Sequence, residues 1–272
     1  MQSILEKIQV KYHSFSPSER KIADYVLSNK EKILNIHIKD LAKATDVSVA
    51  TITRFSRKIE CDSFVDFKIF LRDAVELSTE AENLIDQVDT VYHSIIRSSH
   101  ALVEQEKLEI ASVSIQKAKS IQVYGLGSSG LLAMELKYRL MRMGFLVDAH
   151  TDSHLMLMNA SLIQKDDLVI AISNSGHTRE VTEAVEMAKQ QSAKVLTITN
   201  FEQTPLSNLS DLILFSCNLK QYEKQGFINS QLSILYILDL LSMILLQGKT
   251  AKENREQTLQ ALNDYKKIED RE

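Results

Sequence analysis

Apolar residues recur at helical spacing up to about Glu82, as in Ile22, Tyr25 and Val26 and again in Phe64, Phe67, Leu71 and Val75, with no strand-like alternation. This part of the chain predicts helices only. From Ile121 onward the pattern changes to short β-branched runs, IQVYGL, FLVDAH, DLVIAIS, KVLTIT and LILFSC, separated by helical stretches such as LLAMELKYRLMRM and REVTEAVEMAKQQ. That alternation predicts parallel βαβ units, about five strands with helices on both faces. Between the two patterns, residues 83–119 contain neither proline nor glycine and predict a helical connector. In SFSPSERKIADYVL, Ser16 is placed to cap a helix with Pro17 in its first turn and Glu19 completing a capping box. Pro205 follows the fourth run and predicts a short helix or turn.

Composition narrows the class only modestly. The 272 residues are 44% apolar and 25% charged, ordinary values for one large or two modest globular domains, and two are expected. No apolar run has membrane-spanning length and the start MQSILEKIQVKY lacks a secretory pattern, so a cytoplasmic protein without membrane contact is expected. Cys61 and Cys217 are far apart without metal-ligand spacing, which points to buried apolar residues, with no metal site. The net charge of -4 divides unevenly: residues 1–77 carry 13 Lys+Arg against 11 Asp+Glu, and the remainder 19 against 25. The sign suits a DNA-binding head on an acidic body.

The stretch IKDLAKATDVSVATITRFSRKI carries the first chemistry. A short helix with Ile38, Leu41 and Ala42 inward breaks at Thr45, Asp46 and Val47, and Ser48 caps a second helix of about eleven residues. Ile52, Phe55 and Ile59 share one face of that helix, so Ala50, Arg54 and Arg57 point outward, flanked by Thr51, Thr53 and Lys58. Ser48, Ala50, Thr51, Thr53, Arg54, Arg57 and Lys58 are therefore the expected contacts to double-stranded operator DNA, with arginine suited to guanine edges and hydroxyls or lysine to phosphate.

The second chemistry lies in two glycine turns. Gly125, Gly127 and Gly130 follow the first strand in the GxGxxG spacing, and Asp148 stands at the end of the next run, as a dinucleotide site would need. Ser128 and Ser129 in that turn, and Ser173, Asn174, Ser175, Gly176, His177 and Thr178 after the third strand, suit a small phosphorylated molecule better. Hydroxyls and exposed amides at a helix N-terminus meet a phosphate's charge, and two such turns on one parallel sheet make a pocket with a phosphate at one end. No cofactor is expected. A dinucleotide-binding redox sensor stays as an alternative that would depend on Asp148.

These residues resemble a known family. FSPSERKIADYVL, the turn around Val47 and Ser48, and the Ala50, Thr51, Arg54 and Phe55 positions are similar to the helix-turn-helix domain of RpiR/MurR-type bacterial transcriptional regulators across residues 1–77. GLGSSG and SNSGHT resemble a SIS (sugar isomerase) domain over about residues 108–247. The resemblance implies an all-α helix-turn-helix domain (1–77), a helical connector (78–107), a three-layer α/β/α SIS sandwich with a five-stranded parallel sheet (108–247), and a C-terminal helix (248–272). It implies sugar-phosphate contacts from Ser173, Ser175 and Thr178, with Ser128 and Ser129 reaching the phosphate or the sugar. Gly127, Asn174 and Gly176 complete the expected set. Asp46, Glu60 and Ser63 stand where the family commonly has glycine; Asp46 tolerates the left-handed turn, whereas Glu60 is a poor helix stop and adds repulsion toward phosphate. Ser230, Gln231 and Asp239 replace a family Ser-Arg…Asp arrangement, removing a cation near the usual pocket.

The expected activity is regulation without catalysis: a cytoplasmic transcription factor, homodimeric or a higher homo-oligomer, whose operator affinity responds to a phosphosugar. The alternative is a phosphosugar isomerase with an accessory helical domain, for which Glu135, His154, His177, Glu180 and Glu223 are candidates without a recognisable catalytic pair. The segment LSILYILDLLSMILL is too apolar to face water all round and predicts core or subunit interface.

Overall fold

The computed structural model describes residues 4–29, 32–33, 36–75, 83–218 and 231–269. The chain divides into two units, residues 1–102 with the returning segments 200–204 and 215–233, and residues 103–199 with 205–214 and 234–272. Among the described residues no single helix is long and apolar enough to cross a membrane.

The first unit is helical. α1 (Ile4–Val10), α2 (Pro17–Ser28), α3 (Ile38–Thr45), α4 (Val49–Lys58) and α5 (Phe64–Val75) enclose a core of Ile8, Ile22, Val26, Leu41, Ile52, Phe55, Phe67 and Leu71. Phe55 is the hub of this core, its ring 5.1 Å from Phe15 and 6.3 Å from Phe67. The capping box forms as expected: the Ser16 hydroxyl accepts from Glu19 N–H and the Glu19 carboxylate accepts from Ser16 N–H, with Pro17 at the start. α3 ends at Asp46 in the left-handed region (φ 52°, ψ 51°), which turns the chain into α4. α6 (Leu84–Leu102), capped by Asn83, buries Val91, Ile95 and Leu102 on one side.

The second unit is a three-layer α/β/α sandwich. β1 (Ile121–Tyr124), β2 (Val147–His150), β3 (Leu168–Ile172), β4 (Lys194–Thr199) and β5 (Leu212–Phe215) form a parallel sheet in the order β2-β1-β3-β4-β5. One face packs against α7 (Gln105–Lys117), α8 (Ser128–Arg142), α12 (Leu232–Leu245) and Ala251 of α13 (Lys249–Glu269). The other packs against α9 (Ser153–Ala160), α10 (Arg179–Gln190) and the short α11 (Pro205–Asn208). β3 is buried along its whole length, as its unbroken apolar run requires of a central parallel strand. The apolar segment 232–245 is core: Ile234, Ile237, Leu238 and Leu241 are enclosed against the sheet. Cys61 and Cys217 are both buried free thiols.

The backbone of the β1–α8 turn requires two of its glycines without any ligand. A Cβ on Gly125 would lie 2.6 Å from the Ser129 carbonyl oxygen, and Gly127 has φ +56° and ψ −127°, a conformation that only glycine adopts readily. Gly125→Ala is therefore expected to lower the stability of the chain by about 1–3 kcal/mol, because the colliding partner is backbone and cannot rotate away. Urea unfolding followed by circular dichroism checks it, and an unchanged midpoint would refute the close approach.

Candidate functional sites

α4 is fixed at both ends. At its start the Ser48 hydroxyl accepts from Thr51 N–H at 3.1 Å and lies 2.9 Å from Thr51 Oγ1. Ile52, Phe55 and Ile59 are buried, and Ser48, Ala50, Arg54 and Arg57 are exposed on the other side, with Thr53 intermediate. Two of the expected DNA contacts are placed differently. Thr51 is buried, since it stands one turn before Phe55 on the inward face, and its hydroxyl accepts from Arg54 Nη2 at 3.3 Å. It orients Arg54 instead of facing outward. Lys58 turns back on its own domain: its ammonium donates to the Ser14 carbonyl at 2.5 Å and to Glu19 at 3.2 Å, and stands over the Phe15 ring. Burial works against ionisation of Glu19, but the Ser16 N–H and Lys58 outweigh it and hold the carboxyl below its ordinary range.

At the end of α4, Glu60 does adopt the left-handed conformation, at φ 65°, as a family glycine would. Its carboxylate accepts from Lys7 at 2.6 Å and Lys11 at 2.9 Å, so α1 and the residue that follows it clamp the end of α4. The expected repulsion toward phosphate is corrected accordingly, because two ammonium groups already face that charge. Those lysines hold the Glu60 carboxyl at about 2, well under its ordinary 4.5. Asp46, the other acidic left-handed residue, pairs with Lys21 at 3.2 Å.

The two hydroxyl-bearing turns meet at one place in the sheet. β1 pairs with β3 in parallel, Tyr124 opposite Ala171, so the turn after Tyr124 and the turn after Ile172 leave the same edge side by side. The helices they lead into, α8 and α10, lie on opposite faces of the sheet. That divergence opens a crevice at the carboxyl ends of adjacent strands, the general position for ligands in open α/β sheets. The sequence locates the turns but not this strand order, which no local residue pattern encodes.

Within the β3 turn, Ser173 is buried and its hydroxyl lies 3.0 Å from Thr178 Oγ1 while accepting from Gly176 N–H at 3.2 Å. Ser175 is exposed and accepts from His177 N–H at 3.1 Å. Gly176 has φ 66°, and Thr178 is the residue from which α10 starts. The Asn174 side-chain oxygen is enclosed with no hydrogen-bond partner, and the Asn174 carbonyl accepts from Thr199 Oγ1 at 3.4 Å. In the β1 turn Gly127 and Ser128 are exposed, but Ser129 is only 7% exposed, so its hydroxyl does not share the open position of Ser128.

The dinucleotide alternative loses its acidic residue. Asp148 is the second residue of β2, opposite Gln122, and not at the strand's end. It pairs with Lys137 at 2.6 Å, which holds its carboxyl below the ordinary range. The strand instead ends at His150, whose ring lies against Tyr124 and 2.9 Å from Gln122 Oε1; burial lowers its pKa. Among the isomerase candidates, Glu135 pairs with Arg139 at 2.7 Å, and Arg139 also donates to Asp239 at 2.5 Å. Arg139 thus supplies Asp239 with a cation. His154, His177 and Glu180 are exposed, Gln231 is half-buried, and Glu223 and Ser230 lie outside the described residues.

Comparison with known proteins covers both units. The family profile "Helix-turn-helix domain, rpiR family" matches residues 2–80 and the SIS domain profile matches residues 114–244. A protein of Haemophilus influenzae named as an uncharacterized HTH-type transcriptional regulator is 31% identical, over 96% of this chain and 96% of the relative. One from Clostridium perfringens with the same description is 33% identical over 88% of this chain and 90% of the relative. The solved structure of the Vibrio vulnificus NanR protein complexed with ManNAc-6P aligns with a TM-score of 0.64 and 28% identity, covering 96% of this chain and 98% of that one.

The clamp on Glu60 makes a pH-dependent prediction. A carboxyl whose pKa is depressed by folding stabilises the protein above its unfolded pKa and stops doing so as pH falls through the folded value. Its contribution is thus present above pH 4.5 and lost toward pH 2. Glu60→Gln is expected to lower stability at pH 7 by roughly 0.5–1 kcal/mol, the small figure reflecting exposed ion pairs. The variant should lose less stability than the parent between pH 4.5 and 2. Urea unfolding at several pH values measures both, and parallel pH profiles would show that the clamp has no energetic role.

Proposed function

Because the chain belongs to the rpiR family of helix-turn-helix transcriptional regulators carrying a SIS domain, we propose that it controls genes of carbohydrate metabolism through an operator affinity set by a bound sugar phosphate. The observation that carries this reading is the presence in one chain of two things: an exposed Arg54 and Arg57 face on a helix fixed from behind, and two hydroxyl turns at the sheet's reversal point. We place the DNA-binding domain at residues 1–77, the connector at 78–107, the sensing domain at 108–247 and the C-terminal helix at 248–272.

On the DNA side, α4 enters the major groove with Arg54 and Arg57 at base edges, Ala50 allowing close approach, and Ser48 and Thr53 at phosphate. A homodimer presents two such helices to a near-palindromic operator, and this work takes place in the cytoplasm. On the ligand side, Ser173, Ser175, Gly176 and Thr178 with the N-terminus of α10 receive the phosphate. The enclosed Asn174 oxygen, an acceptor in need of a donor, suits a sugar hydroxyl or amide N–H. Gly127 and Ser128 close the site from β1. The neighbour bound to ManNAc-6P makes that compound the first probe. A ligand that binds one arrangement of the heads better than the other shifts operator affinity by that difference. The chain acts as a sensor and not as an isomerase, a reading supported by the isomerase candidate Glu135 being held in an ion pair with Arg139.

Two measurements test the reading. Arg54→Ala is expected to cost about 1–3 kcal/mol in operator binding and to relax preference at one base pair of each half-site. Binding titrations against operator and scrambled DNA at fixed salt measure this, and unchanged preference removes Arg54 from base reading. A panel of sugar phosphates including ManNAc-6P is expected to raise the melting temperature of the parent but not of Ser175→Asp, whose carboxylate occupies the phosphate position. Equal shifts in both chains, or steady turnover of the sugar phosphate by the parent, would overturn the sensing role.

A further inference from the structure

The loop between β4 and α11 holds both of the places that the proposed regulation must connect. Residues 200–204 belong to the helical unit, although β4 before them and α11 after them belong to the sheet unit. The two stems of the loop grip the β3 turn. Thr199 Oγ1 donates to the Asn174 carbonyl at 3.4 Å, and Leu206 N–H donates to the Gly176 carbonyl at 3.2 Å. Between the stems the loop has a fixed shape: the Asn200 side chain accepts from the Ser216 hydroxyl at 2.6 Å, Gln203 turns the chain at φ 55°, and Thr204 is buried.

The middle of the loop docks on the joint between α1 and α2. The Phe201 ring meets the His13 ring edge-on, centroids 4.7 Å apart, and lies 6.2 Å from the ring of Tyr12. Beside it, Glu202 N–H donates at 3.3 Å to the carbonyl of Val10, the last residue of α1. That joint is in turn tied to the end of α4. Lys58 donates to the Ser14 carbonyl, while Lys11 donates to the Lys58 carbonyl at 3.3 Å and to Glu60. A displacement of residues 10–14 is therefore delivered to α4 through these bonds.

Peptide planarity supplies the link at the ligand end. The Asn174 carbonyl shares one rigid plane with the Ser175 N–H, and the Gly176 carbonyl shares another with the His177 N–H. A phosphate that draws either N–H toward itself rotates the carbonyl on the far side of that plane. Those are the two carbonyls that Thr199 and Leu206 hold. Every contact named here lies inside one unit or the other, so the chain itself carries the shift onward, across the peptide bonds 199–200 and 204–205.

We propose that residues 199–206 couple the sugar-phosphate site to α4, with Phe201 against His13 as the contact through which the helical unit feels occupancy. Packed side chains and hydrogen bonds in one continuous chain are the physical means by which two sites share free energy. The inference rests on the regulatory reading and names the path by which a ligand alters operator affinity. Phe201 and His13 are positioning residues, outside the sets assigned to ligand and to DNA.

Operator titrations of the full-length chain at fixed salt, with and without each sugar phosphate of the panel, ManNAc-6P first, give the ratio of the two affinities. A ratio of roughly five- to a hundredfold in the parent is expected to fall to about twofold or less in Phe201→Ala and in His13→Ala, while ligand binding without DNA and operator binding without ligand each stay within about threefold. A side chain that merely held the fold together would move those single affinities instead. The double variant is expected to lose no more than either single one, because the two rings act as one contact. Circular dichroism confirms that each variant is folded, and His13→Ala, which removes a half-buried ring, decides alone should Phe201→Ala not fold. Folded single variants that keep the parent's ratio, or single losses that multiply in the double variant, overturn this coupling and leave the regulatory reading standing. A parent whose operator affinity no sugar phosphate of the panel changes defeats the regulatory reading, and the coupling with it.

Discussion

The parallel pairing of β1 with β3 is the contact on which the ligand-binding reading depends. It brings Tyr124 beside Ala171, and so the turn that begins at Gly125 and the turn that begins at Ser173 leave one edge of one sheet together. The same pairing sends α8 to one face and α10 to the other, so the two turns diverge at the carboxyl ends of adjacent strands, the general position for ligands in open α/β sheets. The first turn is itself tightly wound, since a side chain at Gly125 would meet the backbone of Ser129.

The helical unit solves a different problem. On the proposed function, α4 must be held rigidly from behind while its outer face stays open. Phe55 and its aromatic neighbours hold the middle of α4, the Ser48 hydroxyl its start, and the Lys7 and Lys11 pair on Glu60 its end. Glutamate at a left-handed position is strained, and the two ammonium groups supply an interaction that glycine would lack.

Much of this is legible in the sequence, for reasons that are local. The Ser16, Pro17 and Glu19 cap, the Ser48 cap and the five β-branched runs depend on neighbours within a few residues, and all are present in the structure. Thr51 is harder to place, because its inward phase depends on which side of Ile52 the core lies, and only its position one turn before Phe55 betrays that. Lys58 escapes a local reading because its partners, Ser14 and Glu19, are 44 and 39 residues away in sequence. Counting alone makes Asp148 a ribose ligand, but the strand continues two residues past it to His150. Strand order and the crevice it creates are out of reach for the same reason: they are properties of pairing between distant segments.

Lys7, Lys11, Lys21 and Lys58 each face a carboxylate of their own chain. On the proposed function, each such carboxylate offsets part of the attraction its lysine offers to a random duplex, so the count of basic residues overstates the charge of this domain toward DNA.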